Sequence, residues 1–320
     1  MLGRDSERVA PNENDRGLKR DVPNARTLCG IVPAVVTPFG ADEALDLDAL
    51  ERLIDRLIAQ GVHGLCVLGS QGEFFALDRD EHREVVRAAV SAAGGRVPVF
   101  AGVSAAATRD AIALARAAEA AGADGLLSLP PLFVQPRPAE VIDHYEALAA
   151  SVELPLLLYN QPARVGVALS VATVATLAAT PNIAGIKDSS GSLAQCLAYR
   201  QALPEDFTVL IGHDSLVAYA LLGGADGSIA SSGNFAAPEL CGIWEAVRNG
   251  DAAEATRLQA RVATLREAFD LASFPVAVIK EALALQGCPV GAPRRPVHPL
   301  RPDAREALRS VLDQLATSND

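Results

Sequence analysis

Eight short apolar runs, separated by longer amphipathic segments, constrain the fold of this chain more than any other feature of its sequence. Each run is four to six residues long and predominantly apolar, which is typical of parallel strands that are buried on both faces. The runs cover residues 31–36, 64–68, 97–101, 125–128, 155–159, 183–187, 208–211 and 227–230. They predict eight parallel strands.

The segments between the runs have helical periodicity. Leu50, Leu53, Ile54 and Leu57 form the i, i+3, i+4, i+7 stripe of an amphipathic helix. The same periodicity predicts further helices over residues 81–93, 107–121, 139–150, 170–179, 192–202 and 215–222. Strands and helices therefore alternate along the chain.

Eight strands, each followed by a helix, are the number that closes a (β/α)8 TIM barrel, an α/β fold that typically occupies about 250 residues. A doubly wound open sheet is the alternative, but it usually has fewer strands and opens with a GxGxxG turn. No such turn follows residues 31–36. We therefore predict the barrel.

Only helical patterns remain after residue 230. They cover residues 238–248, 251–269, 275–285 and 302–316, with no Gly/Ser-rich linker before them. We predict three parts of the chain: a flexible N-terminal tail (1–28), the barrel (29–235) and a C-terminal helical extension packed on the barrel (236–320).

The composition argues against several classes of protein. Half of the 320 residues are apolar, enough for a large core, and the net charge of −11 comes without a Lys/Arg cluster, so nucleic-acid binding is not expected. No apolar run reaches the roughly 18 residues that span a bilayer. Residues 1–28 also lack the apolar stretch of a secretory signal. We expect neither a nucleic-acid nor a membrane partner.

The cysteines and histidines are scattered along the chain. The five cysteines form no CxxC, which favours free thiols in a reducing compartment and hence a cytoplasmic protein. The five histidines show no HxH or HExxH spacing, so we expect no histidine-based metal site.

A lysine and a tyrosine end two consecutive predicted strands. Tyr159 ends the fifth run and Lys187 the sixth. Most lysines are solvated surface groups, and a tyrosine can simply belong to the core, but barrel enzymes bind substrates at the carboxyl ends of their strands. A desolvated amine there can condense with a ketone to form an imine, and a phenol can move the protons. The pair predicts Schiff-base chemistry.

Other polar residues lie at the same predicted face of the barrel. Gly69, Ser70 and Gln71 open a turn after the second strand, and its backbone N–H groups suit a carboxylate; the alternative is an ordinary strand-to-loop turn. Ser70 can also relay protons between Tyr159 and solvent. Arg164, after the fifth strand, can pair with a second substrate anion, unless it is a surface cation.

Glycines late in the barrel raise a phosphate-binding alternative. Barrels often bind phosphate after strands seven and eight, and Gly223, Gly224 and Gly233 lie in this part of the chain. Gly223 and Gly224 precede the eighth strand, however, which predicts a position at the opposite end of the barrel. A phosphate-binding or non-catalytic barrel is therefore our third hypothesis.

Four motifs occur in order along the chain, and together they resemble a known family. They lie at residues 30–39 (GIVPAVVTPF), 69–73 (GSQGE), 159–162 (YNQP) and 185–188 (GIKD), and residues 229–234 of the eighth strand segment add to them. From about residue 30 to residue 290 the chain resembles the dihydrodipicolinate synthase/N-acetylneuraminate lyase family of pyruvate-dependent class I aldolases.

The resemblance implies a (β/α)8 barrel that forms a homo-oligomer, a tetramer or a dimer. It implies 2-oxo acid and aldehyde substrates and no metal or organic cofactor. Lys187 is implied as the Schiff-base lysine and Tyr159 as the proton relay, with Ser70 as the third catalytic residue. The substrate-binding residues that it implies are Gly69, Ser70, Gln71, Arg164, Ile229 and Ser231.

The resemblance leaves the substrate open between two branches of the family. Arg164 is similar to the synthase arginine that receives the carboxylate of the aldehyde substrate. Ser70 matches the serine of the lyase branch, where synthases carry threonine. Phe133 stands where synthases lend a tyrosine hydroxyl across a dimer interface. Asp214 matches one acid of the lyase's pair, but Ser215 replaces the other.

We therefore predict first a Schiff-base lyase, an aldolase or a dehydratase, that acts on pyruvate or a 2-oxo-3-deoxy (sugar) acid. The alternative is a 4-hydroxy-tetrahydrodipicolinate (dihydrodipicolinate) synthase that condenses pyruvate with aspartate semialdehyde.

Overall fold

A computed structural model describes residues 29–317 and contains the eight predicted parallel strands. The predicted flexible tail, residues 1–28, lies outside the described residues. The strands are β1 (Gly30–Pro33), β2 (Leu65–Val67), β3 (Val99–Gly102), β4 (Gly125–Ser128), β5 (Leu156–Asn160), β6 (Ile183–Asp188), β7 (Thr208–Ile211) and β8 (Gly227–Ala230).

The strands pair in the order that a (β/α)8 barrel requires. Each strand from β2 to β7 pairs in parallel with the next one along the chain, and β8 pairs with β1. The remaining seam, between β1 and β2, is joined by a parallel bridge between Ala34 and Cys66, with the Val35 N–H donating to the Cys66 carbonyl at 2.9 Å. The predicted TIM barrel is confirmed.

Several strand boundaries differ from the predicted runs by one to three residues, and two of these differences have an identifiable reason. β1 ends at Pro33 instead of Val36, and Val36 itself lies outside the ladder because its N–H donates to the Asn234 side chain at 3.1 Å instead of to a neighbouring strand. β3 begins at Val99 instead of Val97, because the intervening Pro98 has no N–H to donate to a ladder.

Helices surround the barrel and continue beyond it. They are α1 (Leu47–Ala59), α2 (Arg79–Ala93), α3 (Thr108–Ala120), α4 (Pro138–Ala149), α5 (Pro162–Val165), α6 (Val171–Leu177), α7 (Leu193–Ala202), α8 (Val217–Leu222), α9 (Ala237–Arg248), α10 (Ala252–Phe269), α11 (Pro275–Leu285) and α12 (Pro302–Thr317). None of the helices within residues 29–317 is both long and apolar enough to cross a membrane.

Helix α1 shows how the sequence specifies these elements. Asp46 caps its first turn, since its carboxylate accepts the Ala49 N–H at 2.9 Å, as N-cap residues typically do. The apolar stripe that includes Leu50, Leu53 and Leu57 is buried. Each buried leucine stabilises the fold by about 2 kcal/mol, so the stripe fixes α1 against the barrel.

The single-turn helix α5 was not predicted. It begins with Pro162 at its first position and ends at Val165. The next residue, Gly166, caps the helix with a φ of +73°, the left-handed conformation that often follows a helix. Four residues are too few for periodicity to show. The helix matters because it carries Arg164.

The first of the last four helices, α9, belongs to the ring of helices that surrounds the barrel. Helix α9 packs against β1 and α8, and α10 packs against α9. The predicted boundary between residues 235 and 236 stays a prediction. Because α9 follows β8 and lies on the barrel, we propose that the C-terminal extension begins after α9, with α10.

All five cysteines are free. Cys66 is buried in β2 and Cys196 in α7, and burial raises the pKa of the Cys66 thiol to about 11 and that of Cys196 to about 12. Both groups are therefore thiols, not thiolates, at neutral pH.

His144 predicts a pH dependence of stability. This α4 residue is buried, its Nδ1 lies 2.9 Å from the Thr108 hydroxyl, and burial lowers its pKa from 6.5 to about 4. The unfolded chain binds the proton more readily, so stability is lost as pH falls from about 6.5 to about 4, by about 3 kcal/mol in all. In urea titrations across this range, His144→Gln should lose less of its free energy of unfolding than the wild type. Equal losses would contradict the assignment.

Candidate active site

Lys187 and Tyr159 meet at the carboxyl end of the barrel. They are register partners on the paired strands β5 and β6. The Lys187 Nζ lies 4.2 Å from the centre of the Tyr159 ring, and the two residues are only 4% and 3% exposed. The structure thus brings together an amine and a phenol that are 28 positions apart in the sequence.

The next residue on each strand locks the two strand ends together. The Asn160 side chain donates to the Asp188 carboxylate at 2.8 Å and accepts the Leu169 N–H at 3.0 Å. Asp188 also accepts the N–H and the hydroxyl of Ser190. Burial raises the pKa of the Asp188 carboxyl, and these hydrogen bonds act in the opposite direction. Sequence analysis did not assign Asn160 or Asp188 a role, although both follow the predicted catalytic residues directly.

The chain contains three lysines: Lys19, Lys187 and Lys280. Lys280 is 2% exposed and forms an ion pair with the Glu73 carboxylate at 2.7 Å. Lys187, in contrast, forms no ion pair with any residue between 29 and 317. Of the two buried lysines, Lys187 is the one whose amine is not held by a carboxylate.

A glycine directly after the neighbouring strand β7 leaves room for the Lys187 side chain. A Cβ added at Gly212, just after β7, would lie 2.9 Å from the Lys187 Cε and would overlap the Ser189 hydroxyl. Any larger residue would have to displace both side chains. Sequence analysis missed Gly212, because a glycine after a strand usually indicates only a turn.

Tyr159 differs from the other buried tyrosines. The Tyr145 hydroxyl donates to the Ser128 carbonyl at 2.9 Å, and the Tyr199 hydroxyl donates to the Leu169 carbonyl. Burial raises the pKa of both phenols. In the described part of the chain no hydrogen bond from the Tyr159 hydroxyl is found. Its hydroxyl is thus the one that is not already used to satisfy the backbone.

A constrained turn follows β2 at the same end of the barrel; we call residues 69–72 the β2 turn. The residues that flank it, Leu68 (φ +58°) and Glu73 (φ +54°), both adopt the left-handed conformation, which costs about 1–3 kcal/mol each in a non-glycine residue. The Thr37 hydroxyl donates to the Gly72 carbonyl at 2.6 Å. Strain held in place by such contacts is typical of functional sites.

The side chains of the β2 turn contact two other strand ends. The Ser70 hydroxyl donates to the Gln161 amide oxygen at 3.3 Å, and the Gln71 amide donates to the Ser231 hydroxyl at 3.1 Å. The Gln71 Oε1 is buried without a partner among the described residues. No hydrogen bond joins Ser70 to Tyr159 in this part of the chain. Gln161, which sequence analysis did not single out, is thus a neighbour of the predicted site.

The other predicted substrate-binding residues lie on three sides of this end of the barrel. Gly69 is buried within the β2 turn, and Ile229 is buried in β8 two residues before Ser231. Arg164 is exposed in α5, with its guanidinium 4.3 Å from the centre of the Phe274 ring. No ion pair of Arg164 is found between residues 29 and 317.

Phe133 and Asp214 bear on the substrate hypotheses. Phe133 is 95% exposed in the loop after β4 and has a φ of +73°. The Asp214 carboxylate accepts the Ser232 N–H at 2.7 Å and the Ser232 hydroxyl. Asp214 thus holds the segment after β8.

Gly223 and Gly224 lie before β8, at the end of the barrel opposite Lys187, as predicted.

The chain is similar to known proteins over nearly its whole length. The model of the Dihydrodipicolinate synthetase family matches residues 27–315. The 4-hydroxy-tetrahydrodipicolinate synthase of Methanoculleus marisnigri is 38% identical over 286 residues, which cover 88% of this chain and 98% of the relative. An uncharacterised DapA-like lyase of Halobacterium salinarum is also 38% identical, over 90% of this chain and 94% of the relative.

Solved structures of the same family are also similar to the chain. YagE of E. coli K12, a prophage protein of the dihydrodipicolinic acid synthase family in complex with pyruvate, has a TM-score of 0.88 and 38% identity, covering 90% of this chain and 99% of that one. The chloride-inhibited dihydrodipicolinate synthase of Acinetobacter baumannii, complexed with pyruvate, has a TM-score of 0.87 and 36% identity, covering 91% and 99%.

Proposed function

Because the chain belongs to the dihydrodipicolinate synthetase family, whose members are lyases of the class I aldolase type, we propose that it forms a pyruvate imine on Lys187. One observation carries the assignment to this residue. Lys187 is buried beside Tyr159 with no carboxylate partner in the described chain, whereas Lys280 is held by Glu73. An amine without a counter-ion in a desolvated site is suited to nucleophilic attack.

In the proposed first step the Lys187 nitrogen bonds to C2 of pyruvate. The ketone oxygen takes up two protons, which balance the two that the amine nitrogen gives up, and leaves as water, so that a C=N bond replaces the C=O bond. The imine then acts as an electron sink, so that C3 loses a proton and becomes a nucleophile toward an aldehyde. Tyr159 moves the protons in these steps, with Ser70 as the proposed relay to solvent.

We propose that the β2 turn binds the carboxylate of pyruvate. Backbone N–H groups of consecutive residues in such a turn converge on an anion. We propose that the side chain of Gln71, which donates to Ser231, and Ile229 of β8 border this carboxylate site. The substrate then lies between the β2 turn and Lys187.

For the second substrate we propose aspartate semialdehyde, so that the enzyme is a 4-hydroxy-tetrahydrodipicolinate synthase. Support comes from the relatives: several proteins 37–38% identical to the chain carry that name, which reverses the order of our sequence-based hypotheses. Arg164 agrees with this choice, because an exposed guanidinium without an ion pair in the described chain can receive the second carboxylate.

One observation favours a second candidate, a lyase acting on a 2-oxo-3-deoxy acid. Phe133 has no hydroxyl and is 95% exposed, and Ser70 bonds to Gln161 instead of to Tyr159. A relay that includes a tyrosine hydroxyl at position 133 is therefore absent.

A comparison of substrates tests the two candidates. The purified enzyme is given pyruvate with aspartate semialdehyde, and separately a panel of 2-oxo-3-deoxy sugar acids, and kcat/KM is measured for each. The synthase proposal expects the first reaction to have the highest value. Rapid cleavage of a deoxy acid with no condensation of aspartate semialdehyde would reverse the order.

Arg164 is expected to set the choice of the second substrate. Arg164→Lys keeps the charge but loses the bidentate geometry, so KM for aspartate semialdehyde should rise by about tenfold or more, while pyruvate labelling of Lys187 is unchanged. The matched control is Arg295→Lys, because Arg295 is also an exposed arginine but is paired with Glu43. Unchanged kinetics in Arg164→Ala would make Arg164 a surface cation.

We also propose that the enzyme works in the cytoplasm as a homo-oligomer, a tetramer or a dimer. Five free cysteines suit a reducing compartment. The exposed Phe75, Phe133 and Val134 suit an interface between subunits.

A further inference from the structure

A second buried lysine lies outside the proposed chemistry. Lys280, in α11, is 2% exposed, and its partner Glu73 is 0% exposed. Their ion pair measures 2.7 Å from Nζ to Oε1. Burying two charges costs several kcal/mol per ion, and such a pair is often no more stabilising than apolar residues of the same volume. Stability alone therefore does not explain the pair.

Further contacts hold each member of the pair. The Lys280 amine donates to the Ala292 carbonyl at 3.0 Å and lies 4.2 Å from the centre of the Phe39 ring. The other oxygen of Glu73 accepts the Arg294 N–H at 2.9 Å. Burial lowers the pKa of Lys280 to about 8 and raises that of Glu73, while their mutual attraction opposes both shifts.

Glu73 directly follows the β2 turn. Its left-handed backbone, with φ +54°, is held from outside the barrel by α11 through Lys280 and by the following segment through Arg294. The Arg294 guanidinium is itself fixed, since it pairs with Glu81 and donates to the Ala76 carbonyl at 2.8 Å. The contacts at this end of the turn thus come from the C-terminal part of the chain.

We infer that the Glu73–Lys280 pair positions the β2 turn, so that α11 sets the affinity of the active site for the carboxylate of its 2-oxo acid. The inference rests on the proposed function, in which this turn binds that carboxylate. Neither residue touches the substrate. Both act through the backbone of the turn, whose N–H groups have to converge on one point.

Two single variants and their combination test this role. Glu73→Gln and Lys280→Met keep the volume of each side chain, and the double variant leaves no buried charge unpaired, so its Tm should recover toward the wild-type value. The measured quantity is the pyruvate concentration that half-saturates borohydride trapping at Lys187. A displaced turn should raise it by about 10²-fold in all three variants, with a much smaller change in kcat at saturating pyruvate.

Glu281→Gln is the matched control. It removes the ion pair between Glu281, on the same helix, and Arg305, which does not contact the turn, and half-saturation should stay at the wild-type value. Recovery of both Tm and half-saturation in the double variant would overturn the inference, because the pair would then be purely structural. If the single variants do not fold, the half-saturation measured for the double variant alone tests the inference. Absence of labelling in the wild type would instead refute the proposed function.

Discussion

Replacing Lys187 with alanine is expected to lower turnover by roughly 10⁵-fold or more, as the loss of a covalent nucleophile typically does. The imine pathway requires an unpaired amine at this position, and Lys280 cannot supply one because Glu73 holds it. Steady-state kinetics measure the loss of turnover, and borohydride trapping with pyruvate measures the loss of imine formation.

Lys187→Arg separates charge from nucleophilicity. It keeps a cation beside Tyr159, but guanidinium does not form the imine, so it should be as inactive as the alanine variant. Circular dichroism should show that both variants are folded. Substantial turnover in either folded variant would contradict the role of Lys187.

Tyr159→Phe is expected to lower turnover by roughly 10²–10⁴-fold, the usual contribution of a positioned acid or base. The ring that packs on Lys187 is kept, so folding and imine formation should largely survive. The measurement is kcat alongside the extent of pyruvate trapping. Wild-type kcat in the folded variant would remove Tyr159 from the mechanism.

Tyr199→Phe provides the control for the loss of a buried phenol. Its hydroxyl donates to the Leu169 carbonyl, so its removal leaves a buried acceptor unpaired and should cost about 1–3 kcal/mol of stability. Turnover should stay near the wild-type value, which would separate the catalytic hydroxyl from the structural one.

The fold could be predicted because buried parallel strands leave a strong signal. Each of β1 to β8 is a short apolar run, the runs alternate with helical segments, and this alternation admits few topologies. The boundaries were less predictable. Val36 lies outside β1 because its N–H bonds to Asn234, a partner almost two hundred positions away, and α2 begins at Arg79 because Asp78 caps it.

The candidate site could be predicted in part for the same reason. Consecutive strands of a barrel are neighbours, so residues that end the fifth and sixth runs had to lie side by side, as Tyr159 and Lys187 do. The partners that support them could not be found this way. Gly212 acts by lacking a side chain, and the Glu73–Lys280 pair joins segments far apart in the sequence.

The choice of substrate was the weakest sequence-based prediction. It depended on single positions, Phe133 and Ser70, and ranked a deoxy acid lyase first. The names of the relatives favour the synthase alternative. Individual side chains at a barrel mouth change readily without affecting the fold, so one or two positions decide such a question poorly.

The most direct test of the account is a mass spectrum of the wild-type protein after incubation with pyruvate and borohydride. Because the chain has three lysines, the labelled peptide identifies the nucleophile. We expect one reduced pyruvyl group, on the peptide that contains Lys187. A label on Lys280, or a folded protein that takes up no label at saturating pyruvate, would contradict it.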